Sequence, residues 1–294
     1  MHFFKKIISW ASRKVGAKCY ECYLDPRKFF RHENAQNNSY KPDADDLLAT
    51  QLGNEYRGLG ILVGFLGFLV FLCALIPVAA IEYLSEGCFE SFHILELISL
   101  ALIFFAVYVP NIKYIHRDWM EARWRGEINR YQTLKSFIDS HNQEQLLQEL
   151  VFVLNDQIAY NKKKLEEYES VERWTLKILS IAFIITVVGT VANMRWHNPL
   201  WLFAILLPPI FPGIIHGING FLGMPTLIVD HKRVLKKLRN FKNQLQSLID
   251  LKSKEPIVFE DSLMAFGGKV YGFLVGSIGE WVHNIAEAQR INPP

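Results

Sequence analysis

The sequence predicts an all-α integral membrane protein, with four transmembrane helices in two hairpins and a cytosolic helical bundle built from extensions of the spans. Three observations carry this reading. Of the 294 residues 50% are hydrophobic and only 21% charged, with a mean hydropathy of +0.11, high for a water-soluble protein. The apolar residues gather in blocks between charged stretches, and four blocks reach the length of a membrane span, about 20 residues. Lys and Arg rise and fall in density from one interval between blocks to the next.

Residues 1–57 form an N-terminal extension with an amphipathic helix. Its opening, "MHFFKKIISWASRKVGAKCY", is no secretory signal, because Lys5, Lys6, Arg13 and Lys14 interrupt any apolar core. Phe3, Phe4, Ile7, Ile8 and Trp10 fall largely on one helical face. Such a helix either lies on anionic lipid or packs on the rest of the bundle. Asp43, Asp45 and Asp46 directly follow Pro42, where they favour the first turn of a helix rather than a metal. Cys19 and Cys22 make one half of a zinc site with no second half, so no metal site is expected and the four cysteines read as reduced thiols.

The spans run over Gly58–Ile81, Phe92–Ile112, Leu176–Ala192 and Pro199–Leu222, with Trp174 and Trp196 extending the short third one to the interfaces. They define hairpins at 58–112 and 176–222. Lys and Arg crowd the stretch before Leu59, vanish from "EYLSEGCFES" and return at Lys113, Arg117, Arg123, Arg125 and Arg130. Only Arg195 stands in "NMRWHNP", and the density comes back from Lys232 to Lys242. The positive-inside rule then puts both termini in the cytoplasm.

Residues 113–175 and 223–294 are the cytosolic helices. Arg117–Ser140 reads as a helical continuation of the second span. Glu144–Arg173 carries Leu147, Leu150, Val151, Leu154 and Ile158 at helical spacing and runs into the third span. Thr226–Lys252 repeats the pattern with Leu235, Leu238, Phe241, Leu245, Leu248 and Ile249. Near the C-terminus Gly268, Gly272 and Gly276 stand four apart, a spacing that lets helices approach closely. Lys269 and Glu280 bound a run too short to cross, so a packed cytosolic helix is expected there rather than a fifth span.

Catalytic signatures are missing from the sequence: it has no Walker A loop and no HExxH, and in "VGSIGE" Val275 stands where a nucleophile elbow needs its first glycine. Gly58, Gly60 and Gly64 lie in a span with no strand before them, so they are not a dinucleotide loop. In "HRDWMEARWRGEINRYQ" Trp119, Arg123, Glu127 and Arg130 make one helical stripe beside a Glu121–Arg125 pair. One reading is a solvated face with ion pairs. The other is a ligand site at Arg117, Trp119, Arg123, Arg125 and Arg130, since guanidinium groups grip phosphates and an indole stacks on bases.

The run "FPGIIHGINGFLG" places Pro212, His216 and Asn219 in the fourth span, while Thr186, Thr190 and Asn193 form a polar row on the third. Polar side chains in hydrocarbon are costly. They therefore point to a water-filled path or gate, or to a kinked structural helix whose His216 bonds a neighbour.

The second span leading into "RDWMEARWRGEINRY", the proline-bearing "LLPPIFPGIIHGI" before a long charged helix, and the closing "GEW" resemble the SLATT membrane effectors of bacterial anti-phage defence. The likeness covers Gly58 to the end. It implies a homo-oligomeric, nucleotide-gated pore of the bacterial inner membrane that depolarises the cell and is no enzyme. It also implies a nucleotide second messenger or oligonucleotide made by a partner nucleotidyltransferase, as in CBASS- or Hailong-type systems, with no other cofactor. The simplest members have one hairpin, so the second hairpin and the N-terminal extension are departures. The alternative is a non-conducting membrane scaffold whose cytosolic bundle recruits a partner protein.

With this topology, an impermeant thiol reagent added to spheroplasts labels Cys88 and leaves Cys19 and Cys22 untouched. Strong outside labelling of Cys19 reverses the orientation.

Overall fold

The computed structural model describes residues 2–24, 44–80, 85–108, 112–198, 200–252 and 254–291. Among them the chain is all-helical, without strands, in the order α1 (His2–Leu24), α2 (Ala44–Ala79), α3 (Glu86–Tyr108), α4 (Ile112–Arg130), α5 (Gln132–Asp139), α6 (Gln143–Trp196), α7 (Trp201–Phe221), α8 (Met224–Lys252) and α9 (Pro256–Ile291). Pro42, Asp43, positions 81–84 and Pro199 lie outside the described residues, as do the side chains of Phe3, Phe4 and Trp281.

Among the described residues four helices, α2, α3, α6 and α7, are long and apolar enough to cross a membrane. Their apolar side chains stay largely on the outside: Leu97 is 67% exposed, Phe104 56%, Phe183 67% and Val191 62%. A soluble protein would bury such surface, and a bilayer covers it.

The helices overrun the spans. Asp45 and Asp46 occupy the first turn of α2, well before its apolar run begins. Helix α6 has 54 residues, about 80 Å at 1.5 Å per residue. It is capped at its start by Asn142, whose Oδ1 accepts the Gln145 N–H at 3.2 Å while its amide donates to Gln145 Oε1 at 3.0 Å. It stops at His197, which takes a left-handed φ of 51°. Of the expected continuation of the second span, the stretch from Arg117 is helical in two pieces, α4 and α5, which meet at Tyr131. Positions 109–111, between α3 and α4, lie outside the described residues.

The chain forms two compact units: Met1–Gln36, Thr50–Asp118 and Ser170–Leu222 make the first, and Asn37–Ala49, Trp119–Glu169 and Gly223–Pro294 the second. In the first, α1 crosses α2 through glycines. A Cβ on Gly16 would run into the backbone of Asn54, and one on Gly58 into the carbonyl of Ser12, which is fully buried. Arg13 reaches the buried Glu55 at 2.8 Å beside the crossing. Helix α1 therefore packs on α2 here, one of the two positions its sequence allows.

Helix α7 lies antiparallel to α2. Phe221 fits over Gly60, Ile218 over Gly64, and Phe211 meets Phe68 at 4.8 Å between ring centres. Its other neighbour is α6, where a Cβ on Gly189 would come within 2.7 Å of Ala204 and Trp196 stacks on Trp201.

The second unit has a water-soluble kind of core. Leu134, Leu146, Leu150, Leu154, Leu238 and Leu263 are buried almost completely, with Phe241, Leu245, Phe266 and Val270 around them. The helical periodicities of α6 and α8 thus mark the buried faces, although Val151 is 39% exposed. The glycines of α9 behave otherwise than expected. Gly268, Gly272 and Gly276 have nothing within 4 Å of a Cβ position, whereas Gly267 faces Leu146 and Ile138 at 3.3–3.4 Å. The reason is helical phase: Leu263, Phe266, Val270 and Leu274 are the face turned inward, and the three glycines sit two residues off it, nearly opposite.

A side chain at Gly58 has to push two helix backbones apart, so Gly58→Leu destabilises the first unit by about 1–3 kcal/mol and exposes α1 to protease. Gly67, with open space at its Cβ position, accepts alanine without loss. Equal melting of the two variants in detergent would remove the crossing from the account.

Candidate functional site

The arginine stripe is the first candidate. Arg117 belongs to the first unit, where it is exposed, stands 3.5 Å from Asp118 and lies over the Tyr114 ring at 5.0 Å. The other four residues belong to the second unit. Trp119 is buried, 8% exposed. Arg123 donates to the Tyr160 hydroxyl at 2.8 Å and pairs with Glu127 at 3.7 Å. Arg130 reaches Glu127 at 3.0 Å and Asp46 at 3.5 Å, and Arg125 reaches Asp45 at 3.1 Å.

The first turn of α2 therefore lies against α4, and Gly126 makes room for it: its Cβ would stand 2.8 Å from Asp46 Oδ1. Arg123, Arg125 and Arg130 are thus engaged with acids or a phenol of the protein itself, and the stripe ties α2, α4 and α6 together. Burial pushes the Tyr160 phenol up, and the Arg123 guanidinium beside it outweighs this and brings it below its ordinary value. Tyr160 and Glu127 in turn hold Arg123 firmly protonated.

Next to this network lies His231 of α8. The Asn161 amide donates to the Gln157 carbonyl at 2.8 Å, which turns its Oδ1 toward His231 Nδ1 at 2.7 Å. That nitrogen carries the proton, and the ring is neutral. Burial, with Arg123 and Lys164 nearby, lowers the His231 pKa to about 4.

Three features define α7. Pro212 is buried and His216 exposed, while the half-buried Asn219 accepts the Tyr23 hydroxyl at 2.6 Å. Gly213, Gly217 and Gly220 have nothing within 4 Å of a Cβ position. With His216 they make one open face at spacings of three, one and three. On α6 the Thr186 and Thr190 hydroxyls donate to the carbonyls four residues back, at 2.9 and 2.8 Å. Asn193 is half-buried, and its carbonyl accepts the His197 N–H at 2.8 Å. The row of hydroxyls is satisfied within its own helix.

A further site lies between α8 and α9: a cleft of about 330 Å³ lined by Arg233, Lys236, Lys237 and Asn240 on one side and Phe273, Ser277 and Glu280 on the other. Arg233 holds Glu280 at 2.8 Å and Asp230 at 3.3 Å. Sequence reasoning used these lysines only as markers of orientation. The signal for a site was their density, but the residues that complete it are about 40 positions away.

Among the described residues no three His, Cys, Asp or Glu side chains are grouped so as to hold a metal. Fold and sites together define an all-helical protein with four helices apolar enough to span a membrane. No protein-family model, curated protein or solved structure matches the chain.

His231 takes up a proton near pH 6.5 in the unfolded chain and near 4 in the fold, and His116, lowered to about 4 by burial, behaves alike. Their contribution is complete above pH 6.5 and is lost as the pH falls toward 4, at up to about 1.4 kcal/mol per pH unit for each. Melting of the protein in detergent drops between pH 7 and 5, and His231→Gln flattens the drop. An unchanged slope in that variant assigns the acid sensitivity elsewhere.

Proposed function

We propose that the chain is a homo-oligomeric channel of the bacterial inner membrane, with both termini cytoplasmic. Its span helices pair as two hairpins, and its second unit is a cytosolic bundle that responds to a nucleotide ligand. The observation that carries this reading is the open face of α7, where His216 stands exposed among glycines on a helix of membrane-spanning length. An imidazole at that depth needs water or a protein partner. One chain with few intramembrane charges does not enclose a conducting path, so several copies around an axis supply it.

The resemblance to the SLATT effectors adds the setting: an anti-phage pore governed by a nucleotide or oligonucleotide from a partner nucleotidyltransferase. Pro212, His216 and Asn219 then stand at the gate, with Thr186, Thr190 and Asn193 on the neighbouring helix. The internal pairing of Arg123, Arg125 and Arg130 favours a second reading, a non-conducting scaffold whose cytosolic bundle recruits a partner protein.

Purified protein in planar bilayers separates the two. A channel conducts; His216→Leu, which keeps bulk and removes the polar nitrogens, changes conductance while assembly persists. Pro212→Ala restores a backbone N–H and shifts the gating threshold. No conductance at all from the parent leaves the scaffold, and two variants indistinguishable from a conducting parent place the path away from α7.

A further inference from the structure

We propose that the cleft between α8 and α9 is a phosphate site, which takes an anion of nucleotide size and in doing so displaces Glu280 from Arg233. This rests on the reading that the second unit responds to an anionic ligand, and it places that ligand away from the α4 stripe.

On α4, Arg123, Arg125 and Arg130 each have an acidic or phenolic partner within 3.7 Å. On α8 the balance differs. Three cations, Arg233, Lys236 and Lys237, line the cleft with one carboxylate, Glu280, while Arg233 also pairs with Asp230 outside the lining at 3.3 Å. Lys236 and Lys237 have no carboxylate partner among the described residues, and both are exposed. They follow Arg233 by three and four residues, one helical turn, so all three line the same opening, with the Lys237 ammonium 5.5 Å over the Phe241 ring.

The remaining lining is that of a nucleotide site. The half-buried Phe273 is held edge-on against Phe241 at 5.4 Å, so it is a fixed aromatic wall. Asn240 brings an amide, and the Ser277 hydroxyl, which donates to the Leu274 carbonyl at 2.9 Å, keeps its lone pairs for a donor on the ligand. The cleft, about 330 Å³, falls at the small end of small-molecule sites. Lysines as point charges and an arginine as a fork are the usual grip on phosphate oxygens.

Glu280 now blocks the fork, and its bond to Arg233 joins α8 to α9. A phosphate with more charge and more acceptor oxygens competes for the same nitrogens. Binding therefore breaks the Arg233–Glu280 bond between the two helices and substitutes a bridge through the ligand. The phosphate belongs either to a soluble nucleotide or to an anionic lipid headgroup; the cleft chemistry is common to both.

The test uses the full chain with ATP and tripolyphosphate as probes, followed by calorimetry in detergent. The double variant Lys236→Ala, Lys237→Ala binds about tenfold more weakly, with melting unchanged because both side chains are exposed. Glu280→Gln binds about two- to fivefold more tightly, whereas Glu166→Gln, which removes a charge from an exposed pair with Lys162, does not. Affinity unaltered by the lysine pair, or Glu280→Gln behaving like Glu166→Gln, overturns the site.

Reconstitution into phosphatidylcholine with or without phosphatidylglycerol tells the sources apart. Anionic lipid that competes with ATP in the parent but not in the lysine variant identifies a headgroup; no competition identifies a soluble ligand. Loss of binding in a variant that conducts and gates like the parent leaves the site standing and ends the gating role. Unchanged binding removes the site and leaves the channel to the His216 variant.

Discussion

Where α1 crosses α2, the Ser12 carbonyl occupies the space that a Gly58 side chain would need, and Asn54 does the same at Gly16. Two backbones in close contact seat α1 on α2, and α7 packs on the same helix further along. Apolar helices gain little from hiding apolar surface when lipid is as apolar as they are, so close packing and polar bonds must hold them. Helix α2 provides both. Gly58 receives α1, Gly60 and Gly64 receive Phe221 and Ile218 of α7, and the Tyr56 hydroxyl donates to the Phe221 carbonyl at 3.1 Å. With α1 seated, Tyr23 reaches Asn219. A polar group in the fourth apolar helix is thus satisfied by the N-terminal segment.

The second unit is held by different means. Its apolar core follows the rules of soluble proteins, and a network of Arg123, Arg125 and Arg130 with Asp45, Asp46, Glu127 and Tyr160 fixes the start of α2 against α4 and α6. The pairs of Arg123 and Arg130 are half-buried, so removing one partner leaves a partly desolvated charge, whereas Arg125–Asp45 is exposed and contributes little. Arginine in a motif is therefore ambiguous: the same fork that suits a phosphate suits a carboxylate, and here carboxylates are within reach. On α8 the lysines point to an open cleft instead.

Polar atoms within the apolar helices divide in the same way. Ser99, Ser180, Thr186 and Thr190 return their hydroxyl protons to the carbonyl four residues earlier. Such groups cross a membrane at little cost. His216, by contrast, is exposed on the open face of α7.

The sequence by itself determined the helical class, the four apolar helices, the long α6 and the buried faces of α6 and α8, because segment length and a period of 3.6 are local properties of the chain. Asp45 and Asp46 at a helix start were legible for the same reason. Only the tertiary structure decided which of many glycines are contacts. Gly16 and Gly58 are, and Gly268, Gly272 and Gly276 are not, since that depends on which face a neighbour covers. It likewise decided that the α4 arginines meet acids from α2, some 80 residues away along the chain, and that Phe273 and Ser277 close a cleft around Lys236 and Lys237. A side chain's type can be read from its letter, but its partner is set by a distant segment, and that pairing exists only after the helices have packed.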